Sequence, residues 1–335
     1  MKVLITGGAG YIGSTIASSL EDGGHIPVIL DSLVTGKREF VYDRIFYHGD
    51  ISDSKLLEKI FSEHNDIACT IHCAALIVVP ESVEHPYKYY RENACKSLEL
   101  FKSLIDLGHA KIIFSSSASI YASSSKFQVD ENSPLEANCP YAMTKIIMER
   151  ILQDFCAAYP LKCISLRYFN PIGADPKLRT GSHDQYPSHL LGKLIGAAMG
   201  RTDVFQLTGV NWPTRDGSGI RDYIHIWDLV RAHILALEKF DTAINTSTST
   251  KNYNVINLGT ENGITVKEFI KVFEKVYGRK INIVEAPPRP GDVAGSFASC
   301  EKALKLLGWA PLKTIEEGIK DALAWDKKRM TILGY

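Results

Sequence analysis

A chain of 335 residues with 45% hydrophobic and 23% charged side chains can bury a sizeable core, and such a composition excludes disorder along its whole length. Thirty-eight Lys and Arg balance 38 Asp and Glu, which excludes the basic footprint of a protein whose main partner is nucleic acid or an anionic membrane. No apolar run reaches the roughly 18 residues of a membrane span, Met1-Lys2 leads directly into Val3-Leu4-Ile5 without a signal-peptide layout, and the seven cysteines form no CxxC pair; the chain reads as a soluble, cytoplasmic protein with reduced cysteines.

In chain order, Lys2 to Thr6 is an apolar run of strand length, Tyr11 to Leu20 has helical period, and Ile26 to Leu30 is a second strand, the βαβ rhythm of a parallel sheet. Further strands are expected at Ile45 to His48, Cys69 to Cys73, Lys111 to Ser115 and Cys163 to Phe169, with helices around Ser54 to Ser62, Tyr87 to Leu107 and Tyr141 to Tyr159. The fold class is therefore α/β: a doubly wound (Rossmann) parallel sheet over residues 1–172, with a smaller α/β substrate-binding domain over 173–335. The stretch from Gly173 to Pro187 marks a boundary or a substrate-facing loop region, and about 222–260, ending in the strand pattern Tyr253 to Leu258, is expected to return to the first domain.

Gly7, Gly10 and Gly13 lie between the first strand and first helix, where a tight turn and the helix N-terminus offer backbone N–H groups to a pyrophosphate. The competing reading is a glycine-rich turn without a ligand. Strand before, helix after, and Asp31 at the end of the second strand favour a dinucleotide, and a carboxylate there accepts ribose hydroxyls and repels a 2′-phosphate, so NAD is favoured over NADP. Lys37 and Arg38 are close enough to serve a phosphate instead. Asp50-Ile51 and Cys73-Ala74-Ala75 fall at later strand ends, where an adenine and a nicotinamide ribose would lie; ordinary core or capping use is the alternative for each.

Tyr141 and Lys145 stand at i and i+4 on one helical face behind Pro140. Surface Tyr and Lys reach this spacing by chance, but the strand Ile112-Ile113-Phe114 delivers Ser115-Ser116-Ser117 to the same sheet edge. A phenol with a reference pKa near 10 works as a base near neutrality only if its anion is stabilised, and Lys145 is the agent for that; Ser117 would share the proton. No HExxH, Cys/His cluster or GxSxG elbow is present, so no metal site is expected.

The glycine triplet, the Ser-Ser-Ser strand end and Tyr-x-x-x-Lys resemble the extended short-chain dehydrogenase/reductases. Longer runs, Leu4 to Ser14, Phe114 to Tyr121, Leu166 to Ala174 and Gly219 to His225, are similar to the UDP-glucose 4-epimerase family over nearly the whole chain. That resemblance implies an isomerase that holds NAD, oxidises the C4 hydroxyl of a UDP-hexose, and returns the hydride to the opposite face of a transient 4-keto sugar. It implies Ser117, Tyr141 and Lys145 as catalytic residues, and Tyr11, Ile12, Ser32, Asn93 and Phe169 as further cofactor contacts. Asn170, His189, Leu190, Gln206, Arg221, Arg289, Asp292 and Ser296 would join Ser117 at the nucleotide sugar. A homodimer through the helices around Tyr87–Leu107 and Tyr141–Tyr159 is also implied.

The chain departs from the family pattern at Leu76-Ile77-Val78-Val79-Pro80, at Pro187-Ser188-His189-Leu190, at Ala122 and at Glu92, which leaves the sugar open. Ala118 and Ser119 replace the Asp-Glu pair of related dehydratases, and Ser119 the Glu of UDP-glucuronate decarboxylases. An epimerase for another nucleotide sugar such as UDP-glucuronate, or a non-catalytic NAD-binding scaffold, are the alternatives. In the resembling family a small residue at the position of Ser296 leaves room for a 2-acetamido group, which extends the expected substrates to UDP-GlcNAc and UDP-GalNAc.

Overall fold

A computed structural model describes residues 1–246, 251–288 and 292–334. Seven strands form one parallel sheet: β1 (Lys2–Thr6), β2 (Ile26–Asp31), β3 (Ile45–His48), β4 (Ile67–His72), β5 (Lys111–Ser115), β7 (Lys162–Tyr168) and β12 (Tyr253–Leu258), in the order β12-β7-β5-β4-β1-β2-β3. Strands this apolar are covered on both faces. Alternate side chains of β1 show it: Val3 and Ile5 pack with helix α1 (Tyr11–Asp22) and α8 (Ile226–Glu238), whereas Leu4 packs with α2 (Ser54–Glu63), α5 (Lys96–Asp106) and α6 (Pro140–Ala158).

The strand order reverses between β1 and β4, so their carboxyl ends open the crevice where such sheets bind ligands. Pro140 at the first turn of α6 and the Cys139 thiol, which accepts the Ala142 N–H at 3.5 Å, start the helix that carries Tyr141 and Lys145. The expected helix from Tyr87 to Leu107 is not one regular helix. It comprises α4 (Pro86–Tyr89), a π-helical turn (Tyr90–Cys95) and α5; the reason lies in what Asn93 holds, described below.

A third apolar cluster joins α7 (Leu190–Ala198), α10 (Val266–Tyr277) and α12 (Ile315–Leu333). Around it lie a sheet that includes β10 (Ile220–Arg221) and β15 (Gly295–Ala298), and the paired strands β9 (Phe205–Thr208) and β14 (Ile283–Ala286). Between the two assemblies, β8 (Asn170–Ile172) pairs in parallel with β11 (Tyr223–His225), and β12 returns to pair along β7 from Tyr253↔Cys163 to Leu258↔Tyr168. The Tyr11 phenol donates to the Gly173 carbonyl at 2.7 Å, tying the first turn of α1 to the connection that leads out of the large sheet.

Candidate active site

Gly7 follows β1 with φ +72°, and a Cβ there would stand 2.7 Å from the Ala74 backbone. Glycine is therefore required by both conformation and space. A Cβ on Gly13 would lie 2.3 Å from the Gly7 carbonyl oxygen, so the first turn of α1 presses directly on the loop. Gly10 is the opposite case, since only the Gly7 carbonyl at 3.3 Å stands near its Cβ position. The turn thus leaves a cradle that a side chain would fill, aimed by a helix N-terminus, which suits the pyrophosphate of a dinucleotide.

Asp31 closes the next strand. Its carboxylate accepts the Ala9 N–H at 2.9 Å and the Leu33 N–H at 2.7 Å, and burial lifts its pKa above the ordinary carboxylate range. The exposed Arg38 guanidinium lies over the Phe46 ring at 4.4 Å. Ser32 is exposed beside Asp31, and Ile51 is buried. Burial works against the Asp50 carboxylate, yet Ser52 and the Lys96 ammonium at 2.6 Å hold it below its ordinary range. Lys96 also reaches Glu92 at 2.5 Å. Tyr11 and Ile12, half-buried, form the start of α1.

Cys73-Ala74-Ala75 continues from β4 past Gly7. The Cys73 thiol lies 3.2 Å from the Ser115 hydroxyl, and burial pushes its pKa up to about 11. Asn93 is fully buried and turned onto the loop beyond Ala75: its Oδ1 accepts the Leu76 N–H at 2.8 Å, and its Nδ2 donates to the Leu76 carbonyl at 3.0 Å and to Thr144 Oγ1 at 3.2 Å. The π-helical turn delivers Asn93 there, and π turns recur where a helix is bent to a site's needs. Asn93 thus braces the loop against α6.

At the end of β5 the three serines divide the work. The Ser115 carbonyl accepts from Lys145 Nζ at 2.8 Å, Ser116 turns inward to Glu149, and Ser117 Oγ lies 2.9 Å from Ser119 Oγ. Tyr141 and Lys145 are 9% and 3% exposed. Burial raises the Tyr141 phenol to about 12, which the Ser117 hydroxyl opposes; burial lowers Lys145 to about 8, which Cys73 and Glu149 oppose. The ammonium stands 6.0 Å from the Tyr141 ring centroid. Burial thus holds the phenol in its protonated form, and a cation brought close to the oxygen is the general means of offsetting this and favouring the phenolate, the form that removes a proton from a hydroxyl. Phe169 is buried at the end of β7.

The residues expected to hold a nucleotide sugar lie on several elements. Arg221 on β10 pairs with Ser296 on β15. Its guanidinium donates to the carbonyls of Ile220 at 2.7 Å, Ala294 at 3.0 Å and Val293 at 3.0 Å. These bonds seat the guanidinium beside the approach to β15. Asn170 is exposed, with its backbone N–H donating to the Asp222 carbonyl at 3.0 Å. His189 caps α7, its Nδ1 accepting the Gly192 N–H at 3.2 Å, and Leu190 follows it. Gln206 is exposed on β9, and Asp292 is half-buried. Arg289 lies outside the described residues. His225 caps α8 through Nδ1 and faces Asp321 through Nε2 at 3.1 Å, and no cluster of ligands for a metal ion occurs among the described residues.

Glu149, Thr144 and the Ser115 carbonyl also hold the site's residues in place. An acid four residues beyond Lys145 was the one local signal; the Arg167 that pairs with it comes from another strand.

A glycine cradle at the sheet's switch point, with a Ser-Tyr-Lys cluster two strands away at the end of β5, defines a site for reversible oxidation of a hydroxyl with a bound dinucleotide. The chain belongs to the NAD dependent epimerase/dehydratase family, whose model matches residues 3–259. Within that family it is similar to the UDP-glucose 4-epimerase of Bacillus subtilis, 38% identical with 100% of this chain and 99% of the relative covered. It is 39% identical to that of Halalkalibacterium halodurans, covering 98% and 96%. Among solved structures, a UDP-glucose 4-epimerase from Stenotrophomonas maltophila with bound NAD and formylated UDP-arabinopyranose superposes with a TM-score of 0.92 at 35% identity, 99% of each chain covered. The UDP-Glc/GlcNAc 4-epimerase of Campylobacter jejuni superposes at 0.82 with 33% identity, covering 98% and 99%.

Proposed function

We propose that the protein is an NAD-dependent UDP-hexose 4-epimerase, acting on UDP-glucose and UDP-galactose and also on UDP-GlcNAc and UDP-GalNAc. The juxtaposition of Ser117, Tyr141 and Lys145 beside the Gly7 cradle carries this reading. NAD, when bound, supplies a hydride acceptor that returns the hydride it takes, so the net redox change is zero. Tyr141 takes the proton of the C4 hydroxyl and gives one back. Lys145 lowers the cost of the phenolate, and Ser117 orients the sugar oxygen and shares its proton.

The acetamido sugars enter the proposal through Ser296. It is small and stands in register with Arg221, and the next residue, Phe297, lies against Gly263, where a Cβ would meet its Cδ1 at 2.5 Å. Ala118 and Ser119 in place of an acid pair argue against elimination. Tyr87, Leu98 and Met143 expose apolar surface on α4, α5 and α6, which supports a homodimer through these helices. No helix among the described residues is long and apolar enough to cross a membrane, and the seven cysteines are free; a cytoplasmic enzyme fits both.

Incubation with UDP-glucose, UDP-galactose, their 2-acetamido counterparts and UDP-glucuronate, with products resolved and the nucleotide released on denaturation identified, tests the proposal. Interconversion of hexose pairs with NAD recovered is expected. Recovery of NADP, or turnover confined to the uronate, overturns it.

A further inference from the structure

Behind Tyr141 and Lys145 lies a buried polar chain that the proposed function does not use. The side chains of Glu149 on α6 and Arg167 on β7 are 3% and 4% exposed. Arg167 grips Glu149 at two points, Nε to Oε1 at 2.9 Å and Nη2 to Oε2 at 2.6 Å. The Ser116 hydroxyl donates to the same Oε1 at 2.5 Å. Arg167 Nη1 donates to the Tyr121 phenol oxygen at 3.0 Å, and that phenol donates to Asn257 Oδ1 at 2.6 Å. One carboxylate thus joins the catalytic helix to the ends of β5 and β7, and through Tyr121 to β12.

An ion pair this deep is weak evidence of stability, because well-packed apolar residues commonly serve a core as well. Its position supplies another reason. Ser116 is flanked by Ser115, whose carbonyl holds Lys145, and by Ser117, the hydroxyl facing Tyr141. Glu149 also sits one helical turn beyond Lys145 on the same face. We infer that Glu149, gripped by Arg167, is a positioning residue for 4-epimerisation: it sets the strand end that presents the Ser115 carbonyl and the Ser117 hydroxyl, and it faces the Lys145 ammonium with a negative charge. The inference rests on the epimerase reading above.

The ionisable groups around Lys145 are Tyr141 and Glu149 on its own helix, His72 and Cys73 from β4 and the residue after it, and Arg167 behind Glu149. Burial drives Lys145 down to about 8, and Glu149 and Cys73 oppose that. Glu149→Gln keeps the shape, removes the opposing charge and leaves Arg167 cationic. Lys145 then deprotonates at lower pH.

Steady-state kinetics across pH, with melting temperature and NAD content per chain, test this on the holoenzyme. For Glu149→Gln, kcat falls about 10- to 100-fold, KM for UDP-galactose and NAD content stay within about twofold, and the alkaline limb of kcat moves down by about one pH unit. A lower melting temperature with kcat and the limb unmoved makes Glu149 a structural brace and overturns the inference. Ser116→Ala keeps the ion pair and covers the case of a Glu149→Gln chain that does not fold: kcat drops about fivefold at unchanged KM and NAD content, and an unchanged kcat overturns the inference. A wild type inert on every UDP-hexose overturns the proposed function and this inference with it, whereas an active wild type with unmoved variants overturns the inference alone.

Discussion

In the proposed mechanism Tyr141 needs its hydroxyl for proton transfer and not for packing, since its ring is already held in a buried position. Tyr141→Phe is therefore expected to lower kcat by about a hundredfold or more while NAD content and nucleotide-sugar binding stay near wild type, as single-turnover and equilibrium binding assays will read. Wild-type turnover in the variant removes Tyr141 from the chemistry. Ser296 makes a different argument, because a pocket wall discriminates by overlap. Ser296→Tyr is expected to reduce kcat/KM for UDP-GlcNAc about ten- to a hundredfold, the equivalent of the roughly 1–3 kcal/mol that overpacking costs, and to spare UDP-galactose. Equal losses on both sugars, or no wild-type activity on UDP-GlcNAc, sink the assignment of Ser296 as the gate. The pairings of single residues were the least legible part of the site. Tyr141 and Lys145 stand out by helical spacing only together with the strand-end serines and the glycine turn, whereas Glu149 is defined by Arg167 and Ser116, which approach it from other elements.

At the scale of elements, buried parallel strands write themselves plainly as short apolar runs, and Lys2–Thr6, Ile45–His48, Lys111–Ser115 and Tyr253–Leu258 occur as the pattern predicts. The interruption of the helix after Tyr89 was not legible. Periodicity reports which face is apolar, but the π-helical turn answers to hydrogen bonds from Asn93 to Leu76 and Thr144, contacts with no signature in the local sequence. The cradle was legible because steric demand on glycine is local. Among its three glycines the structure ranks the demand, and Gly13→Ala is the sharper test: its Cβ would lie 2.3 Å from the Gly7 oxygen and 2.8 Å from Gly8 Cα, both backbone atoms that cannot swing aside. The loop must shift, costing about 1–3 kcal/mol of stability, and the NAD recovered per chain falls. Gly10→Ala meets only one oxygen at 3.3 Å and is expected to melt near the wild-type temperature. Full nucleotide content and unaltered melting in Gly13→Ala would contradict this geometry.

For the whole molecule, stability is tied to pH through histidines sealed in the core of the large sheet. His72 on β4 is 1% exposed, lodged between Thr6 Oγ1 at 2.7 Å and Ser97 Oγ at 2.9 Å, and burial, reinforced by Lys145, lowers its pKa to about 3. His233 on α8 is fully buried, between the Leu229 carbonyl at 2.9 Å and the Ser115 hydroxyl at 3.2 Å, and burial lowers it to about 4. Unfolded, both take a proton near pH 6.5; folded, both stay neutral until far more acid conditions. Between about pH 6.5 and 4 the unfolded chain therefore binds more protons, so the stability of the fold falls as pH falls. Each histidine contributes a slope of up to about 1.4 kcal/mol per pH unit. Asp31, whose folded pKa is raised, works in the opposite direction, as do Glu131 and Asp222, each protonating more readily folded than unfolded. His109 and His189, each lowered by burial to about 4, act in the same direction as the two core histidines. Urea denaturation at pH 7.0, 6.0 and 5.0 is expected to show a midpoint that drops progressively below pH 6.5, and His233→Gln, which keeps a polar side chain beside Ser115 and cannot take up a proton, to show a shallower drop than wild type. A midpoint flat from pH 7 to 5, or a His233→Gln slope equal to wild type, would exclude these histidines as the source of acid sensitivity.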